Sequence, residues 1–244
     1  MGKTFAIGDI HGGLKALNQV LEKAAVTKKD TLVFLGDYVD GWSESAQVID
    51  LLIELSAQQS CIFIKGNHDE WCEGWLLTGL ADSGWLHNGG YETIESYNDY
   101  GGLKKQQHLL FFQQMKYWHL DEKNRLFVHA GFTAAEGPQH ETDVSDCAWD
   151  RTLWTMALTI HKKIKNDPLQ LPKKLRLFYE IYIGHTPTLH HKVTIPMQGC
   201  NVWNLDTGAA FNGKLSIMDI DTKQYWQSDT VQQLYPAEAG RNRH

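Results

Sequence analysis

The stretch Thr4-Phe5-Ala6-Ile7-Gly8-Asp9-Ile10-His11-Gly12 decides how this chain is read. An apolar run stops at a glycine, and an aspartate and a histidine follow at once. Thr4–Gly8 reads as a buried strand. Leu14, Leu17, Val20, Leu21 and Ala24 then recur at helical spacing, which predicts a helix from Leu14 to Ala25. The pattern repeats. Thr31–Leu35 is a second strand. Ser43–Leu55 is a helix with Ser43 as its N-cap and Ala46, Ile49, Leu52 and Ile53 on its apolar face. Cys61–Lys65 is a third strand. Strands alternating with helices imply a parallel sheet covered by helices.

Further strands are expected at Arg125–Val128, Glu180–Ile183, Lys192–Ile195, Cys200–Leu205 and Leu215–Ile220, with a helix over Trp149–His161. The late half therefore reads as richer in antiparallel strands. Residues 70–118 differ in character. They carry Trp71, Trp75, Trp85 and Trp118 and the glycine pairs Gly89–Gly90 and Gly101–Gly102. This segment reads as an aromatic-rich insertion of helices and loops within one domain spanning residues 1–244, and core packing is its expected role. The tail from Pro236 to His244 is expected to fray.

Each strand ends in a small polar cluster: Gly8-Asp9-Ile10-His11-Gly12, Gly36-Asp37-Tyr38-Val39-Asp40, Gly66-Asn67-His68-Asp69, His129-Ala130-Gly131 and Gly184-His185-Thr186-Pro187. Any one alone reads as a turn or a helix cap. Five in order, each at a strand exit, read as a site, because carboxyl ends of parallel strands converge on one edge of a sheet. Asp and His together suit a first-row divalent ion such as Mn, Fe or Zn. The ligands are too many for one open catalytic ion, so two ions are inferred. No cysteine sits in the clusters, which argues against a structural zinc.

Composition bounds the alternatives. With 244 residues, 42% of them hydrophobic, the chain can bury a sizeable core. A formal net charge of −6 argues against a nucleic-acid binder relying on a basic surface. Cys61, Cys72, Cys147 and Cys200 are too few and too scattered for a disulfide scaffold, and are expected to be free thiols. The N-terminus lacks the apolar core of a signal peptide, and no run is long enough to span a membrane. A soluble, cytoplasmic chain without nucleic-acid or membrane partners is expected.

The string GDIHG, GDYVD, GNHD, HAG and GHTP resembles the calcineurin-like metallophosphoesterase superfamily. More narrowly, it is similar to the phosphoprotein phosphatase (PPP) family of bacterial and phage type. Asp206-Thr207-Gly208 also matches, so the resemblance covers most of the chain. It implies an α/β fold: a β-sandwich flanked by α-helices in four layers (αββα). It also implies that Asp9 and His11 bind one metal, that Asp37 bridges both, and that Asn67, His129 and His185 bind the second. Mn²⁺ is the expected ion. His68 resembles the family's general acid and Asp40 the carboxylate that orients it. Arg151 is a candidate phosphate clamp, with Asn67 beside the phosphate, and Trp85–Gly90 is similar to a stretch flanking the site in bacterial relatives.

One departure stands out. The family continues its second motif with an arginine that grips phosphate, and here Gly41 occupies that place. An arginine restored at residue 41 is expected to improve turnover. Asp69, where many relatives have Glu, is a mild change.

The resemblance implies a metal-dependent phosphomonoester hydrolase of the protein serine/threonine phosphatase type. A hydroxide held between two ions would attack phosphorus directly and in line. The alternative is hydrolysis of a dinucleoside polyphosphate or nucleotide. A reading of another class, a metal-binding module without catalysis, is opposed by the intact Asp40–His68 pair. The expected partner is a phosphorylated substrate, either a phosphoprotein or a small phosphate ester.

Overall fold

The computed structural model describes residues 2–164 and 171–242. Its ten strands are β1 (Thr4–Ile7), β2 (Thr31–Phe34), β3 (Cys61–Phe63), β4 (Trp118–Leu120), β5 (Arg125–Val128), β6 (Glu180–Ile183), β7 (Met197–Gly199), β8 (Val202–Asn204), β9 (Ser216–Asp219) and β10 (Tyr225–Gln227). They form two five-stranded sheets, ordered β10-β9-β1-β2-β3 and β4-β5-β6-β8-β7. In the first sheet β1, β2 and β3 run parallel, with β9 antiparallel to β1 and β10 antiparallel to β9. In the second, β5, β6 and β8 run parallel, with β4 and β7 antiparallel at the edges.

Alternation along each strand builds the layers, since successive side chains point to opposite faces. In β1, Ala6 points inward to an inter-sheet core with Val33, Ile64, Phe127, Tyr182 and Met218. Phe127 and Tyr182 stack there, ring centroids 5.1 Å apart. Phe5 and Ile7 point outward. They meet Leu17 and Val20 of α1 (Leu14–Lys23) and Ile49 and Leu52 of α2 (Ser45–Gln58). The segment expected as an insertion contains α3 (Asn67–Thr78), α4 (Ser83–Trp85), a π-turn at Leu86–Gly90, α5 (Tyr91–Ser96) and α6 (Gly102–Gln113). After α7 (Asp146–Trp149), α8 (Thr152–Ile164) covers the second sheet, packing Leu153, Trp154 and Ala157 on Leu126, Val128, Ile181 and Ile183. Two mixed sheets between helices are the expected αββα arrangement.

Several local expectations need correction. The helix expected over Trp149–His161 is interrupted. Asp150 turns its carboxylate to the backbone N–H groups of Thr152 and Leu153, at 2.9 and 3.1 Å, and so starts a new helix. Ser43 is not the cap of α2, which begins at Ser45; its hydroxyl donates to Glu238 instead, at 2.8 Å. Lys192–Ile195 is not a strand. Thr188–His191 forms a 3₁₀ turn, Lys192 adopts a left-handed φ of 59°, and the strand comes later, as β7. The three-residue edges β4 and β10 give no signal in the sequence. The tail is ordered where it is described. Gly240 is buried, and Arg241 N–H bonds to the Ala210 carbonyl at 2.9 Å. Residues 243 and 244, the end of the tail expected to fray, lie outside the described residues.

Candidate metal centre

All six parallel strands release their carboxyl ends at one edge. Asp9 and His11 follow β1, Asp37 follows β2, and Asn67 opens α3 after β3. His129 follows β5, His185 follows β6 and Asp206 follows β8. The chain must turn sharply at each exit. His11, Asp37, Asp40 and His185 all take positive φ, at 54°, 54°, 74° and 67°. Non-glycine residues reach this region only under constraint, and such residues gather at functional sites. Two glycines are required by close approach. A Cβ on Gly66 would lie 2.2 Å from Asp37 Oδ1, and one on Gly184 would lie 2.0 Å from Asp9 Oδ1.

Asp37 is the centre of the cluster. His129 Nε2 lies 3.3 Å and His11 Nε2 3.6 Å from Asp37 Oδ2. His11 Nε2 is also 4.0 Å from Asp9 Oδ2. His185 Nδ1 lies 2.9 Å from Asn67 Oδ1 and 3.2 Å from His129 Nε2. The backbone chooses the tautomers of two rings. His129 Nδ1 donates to the Leu35 carbonyl at 2.7 Å, and His11 Nδ1 donates to the Asp40 carbonyl at 2.9 Å. Both Nε2 atoms then face carboxylate oxygen.

Such an arrangement calls for a cation. A ring nitrogen and a carboxylate oxygen that face each other as acceptors repel unless a proton or a metal ion lies between them. Asp9 Oδ1 and His185 Nε2 are buried with no hydrogen-bond partner, a cost that a metal bond would remove. Among the described residues, two groups of His and Asp ligand atoms are close enough to hold an ion, His11–Asp37–His68 and Asp37–His129–His185, and Asp37 belongs to both. The oxygen and imidazole donors suit a divalent first-row ion. All six residues expected as metal ligands converge here, although Asp9 and Asn67 fall outside those two groups.

The protonation pattern agrees. Burial and the neighbouring Asp206 hold the Asp9 pKa well above the usual carboxylate range. Burial pushes His185 well down, and His129 lowers it further. Burial opposes charge on His129, but the Asp37 carboxylate dominates and lifts it to about 10. Burial would raise Asp37, yet His129 and His68 hold it well below the ordinary value. Acids and imidazoles packed this closely share protons where a dication would replace them.

Beside the cluster, His68 Nδ1 donates to Asp40 Oδ2 at 2.6 Å. The Trp85 indole N–H reaches the same oxygen at 2.7 Å, and the Thr93 hydroxyl lies 2.6 Å from Asp40 Oδ1. Both belong to the aromatic-rich segment, in which the resemblance sets Trp85–Gly90 beside the site while core packing is the expected role of the rest. Asp69 links the loops: its carboxylate accepts the backbone N–H groups of Asp37, Tyr38 and Gly66 at 2.8, 2.9 and 2.8 Å. Sequence reading does not find Thr93, and it sets Trp85, Asp69 and Asp206 in or beside the motifs without assigning them these roles. For Asp206 a signal existed, the Asp-Thr-Gly string at a strand exit.

A cavity of about 350 Å³ opens over the cluster. Trp71, Asn88, Trp149, Arg151, Phe211 and Arg241 are among the residues that line it. The Trp71 and Trp149 rings meet edge to face at 5.0 Å, and Trp149 Nε1 is tied to Glu70 at 2.7 Å. Gly41 lies beside Arg241, with a φ of 125°. Its place is therefore not an empty socket for an arginine, contrary to the expectation from sequence.

Comparison with known proteins agrees with this geometry. A bis(5'-nucleosyl)-tetraphosphatase PrpE [asymmetrical] of Oceanobacillus iheyensis is 25% identical over 238 residues, covering 90% of this chain and 89% of its own. A metallophosphoesterase structure from Sphaerobacter thermophilus superposes with a TM-score of 0.58 at 16% identity, over 96% of this chain and 94% of that one. A cold-active protein-tyrosine phosphatase of a psychrophilic Shewanella has the same fold, with a TM-score of 0.56 at 14% identity, over 94% and 81%. The family model for calcineurin-like phosphoesterases matches residues 2–194. The chain belongs to the calcineurin-like phosphoesterase family and is a hydrolase of phosphoric ester bonds.

Proposed function

We propose that the chain hydrolyses dinucleoside polyphosphates, cutting a tetraphosphate asymmetrically into a nucleoside triphosphate and a nucleoside monophosphate. The observation that carries the reading is the cavity lining, in which the Trp71–Trp149 pair, Arg151 and Arg241 share one cavity with the metal-ligand cluster. An aromatic pair of a half-buried Trp71 and an exposed Trp149 suits a nucleobase, and guanidinium groups suit the phosphates between two nucleosides. The PrpE relatives support the same substrate class. These observations favour it over the protein serine/threonine phosphatase expected first.

Asp9, His11 and Asp37 would hold one ion and Asp37, Asn67, His129 and His185 the other, with Mn²⁺ as the proposed species. Bound divalent ions supply Lewis acidity and a water acidic enough to lose a proton near neutral pH. The chain's own residues do the rest. Water adds to one phosphorus while the P–O bond to the departing nucleotide breaks. Asp40 accepts a hydrogen bond from His68 Nδ1–H and keeps that proton on the ring, so that the doubly protonated ring gives the proton on its other nitrogen to the departing oxygen and ends neutral. Arg151 binds phosphate oxygen in a planar, two-bonded fashion.

The test compares kcat/KM for a dinucleoside tetraphosphate, a phosphoserine peptide and p-nitrophenyl phosphate with Mn²⁺-loaded protein, with products separated by anion exchange. Triphosphate and monophosphate in equal amounts, at the highest efficiency of the three, are expected. A preference for the phosphopeptide would return the chain to the protein phosphatases.

A further inference from the structure

The C-terminal segment is built into the site. Tyr235 stacks on Trp42 with ring centroids 5.3 Å apart and planes 22° from parallel. Glu238 accepts the backbone N–H and the hydroxyl of Ser43 at 3.0 and 2.8 Å. Gly240, at φ 56°, lies so close to Trp42 that a Cβ would sit 2.6 Å from the indole. These contacts dock residues 235–240 on the turn that follows Asp40. Arg241 N–H then bonds to the Ala210 carbonyl at 2.9 Å, and its side chain runs past Gly41 into the cavity.

Two fixed points hold the guanidinium there. Its Nη2 donates to Asn88 Oδ1 at 3.0 Å, and its Cζ lies 5.3 Å from the centre of the Phe211 ring. Asn88 is itself anchored, since its amide donates to the Gly84 carbonyl at 2.8 Å. No described carboxylate forms an ion pair with Arg241. A guanidinium has five N–H donors, and one is committed to Asn88. Asp206 lines the same cavity and feels the charge of Arg241, but with no carboxylate at ion-pair distance the remaining donors of this positioned arginine are available to an anion.

We propose that Arg241 is a phosphate-binding residue delivered by the C-terminal segment, and that it works together with Arg151, which lines the same cavity, in gripping the polyphosphate. The assignment deepens the proposed function and rests on it only for the presence of phosphate in the cavity. The tail thus becomes part of the substrate site, because Arg241 reaches the cavity only while the tail is docked on Trp42 and Ser43.

The experiment measures binding of inorganic phosphate to the Mn²⁺-loaded protein. The readouts are calorimetry and competition against p-nitrophenyl phosphate. Arg241→Ala should weaken phosphate by roughly ten-fold to hundred-fold, the range expected for hydrogen bonds to a charged group. Arg241→Gln keeps the stem over Phe211 and serves if the alanine variant misfolds; it should lose affinity similarly. Arg241→Lys should recover only part, because a point charge lacks the planar fork. Metal content and circular dichroism should match wild type in all three. Unchanged phosphate affinity in a folded, metal-replete Arg241→Ala or Arg241→Gln would overturn the assignment. If dinucleoside tetraphosphate proves a poor substrate while phosphate affinity still depends on Arg241, the substrate reading falls and the assignment stands. If the tetraphosphate turns over well while phosphate affinity is independent of Arg241, the assignment falls and the substrate reading stands.

Discussion

Trp85 donates its indole N–H to Asp40 Oδ2 at 2.7 Å, the same oxygen that takes the His68 ring proton. Asp40 is fully buried, so each donor offsets part of the cost of holding a charge away from water. Trp85→Phe keeps an aromatic body and removes one donor. It should cost about 1.5–3 kcal/mol of stability, as for loss of a hydrogen bond to a charged group, and should lower kcat with metal content unchanged. Denaturant unfolding, metal analysis and steady-state kinetics check this. A folded variant with wild-type kcat would show that Asp40 works without the indole.

His68 gives a second prediction, read from the leaving group. A departing nitrophenolate or nucleoside phosphate is a weak base and needs little proton transfer, whereas the alkyl oxygen of phosphoserine needs more. His68→Asn should slow the poorer leaving group by roughly 10²–10⁴-fold and p-nitrophenyl phosphate by much less. Equal losses on both, measured where chemistry limits the rate, would remove His68 from proton transfer.

These residues also show what is legible in sequence. Asp9, Asp37 and His129 each end an apolar run, and local pattern alone reports such a break. The sheet layers are legible for the same reason: Phe5, Ala6 and Ile7 alternate faces. The bond from Trp85 is not legible: the resemblance sets Trp85–Gly90 beside the site, but no local pattern says where the indole N–H points. Arg241 is hidden further. Its position depends on Trp42 and Tyr235, which meet across nearly two hundred residues of chain. Gly240 beside it reads as a fraying end until the indole under it is seen. The edges Trp118–Leu120 and Tyr225–Gln227 are too short to show alternation. Lys192–Ile195 carries strand-forming residues, but a left-handed turn at Lys192 sends the chain elsewhere.

The acid–imidazole cluster predicts how pH and metal interact. Asp37 lifts the folded-state pKa of His129 to about 10 against the burial that opposes it, while an unfolded histidine titrates near 6.5. The folded chain therefore holds a proton that the unfolded chain releases. The resulting stability is full below about pH 6.5 and is lost as pH rises through about 10. Asp206, raised by burial to about 6, acts in the same sense at lower pH: its contribution fades as pH rises through about 6. Chelator-treated protein should thus melt at a lower temperature at pH 10 than at pH 7. Added Mn²⁺ should raise Tm more at the higher pH, because its ligands bind it deprotonated. Thermal unfolding at both values, with and without metal, checks the sign. A metal effect that shrinks with pH would contradict it.

Gly41 makes the last prediction, and it reverses the one drawn from sequence. By family pattern, an arginine at residue 41 should add a phosphate clamp. In the structure Gly41 has a φ of 125°, and a Cβ there would lie 3.3 Å from Arg241 Cγ. Gly41→Arg would meet both obstacles. A side chain at that φ costs about 1–3 kcal/mol in backbone strain, and it pushes aside the arginine already in the cavity. The expected result is lower stability and lower kcat/KM, with weaker phosphate binding. Gly41→Ala separates the two causes: it carries the strain with only a slight push on Arg241. Its stability should fall nearly as far while phosphate affinity changes less. The double variant Gly41→Arg with Arg241→Ala asks whether an arginine from the turn can replace one from the tail. Because the turn directs its Cβ at the Arg241 stem and not at the phosphate position, the double variant should bind phosphate no better than Arg241→Ala alone. If it binds more tightly, the turn accepts a clamp after all, and the tail arginine is one of two equivalent solutions.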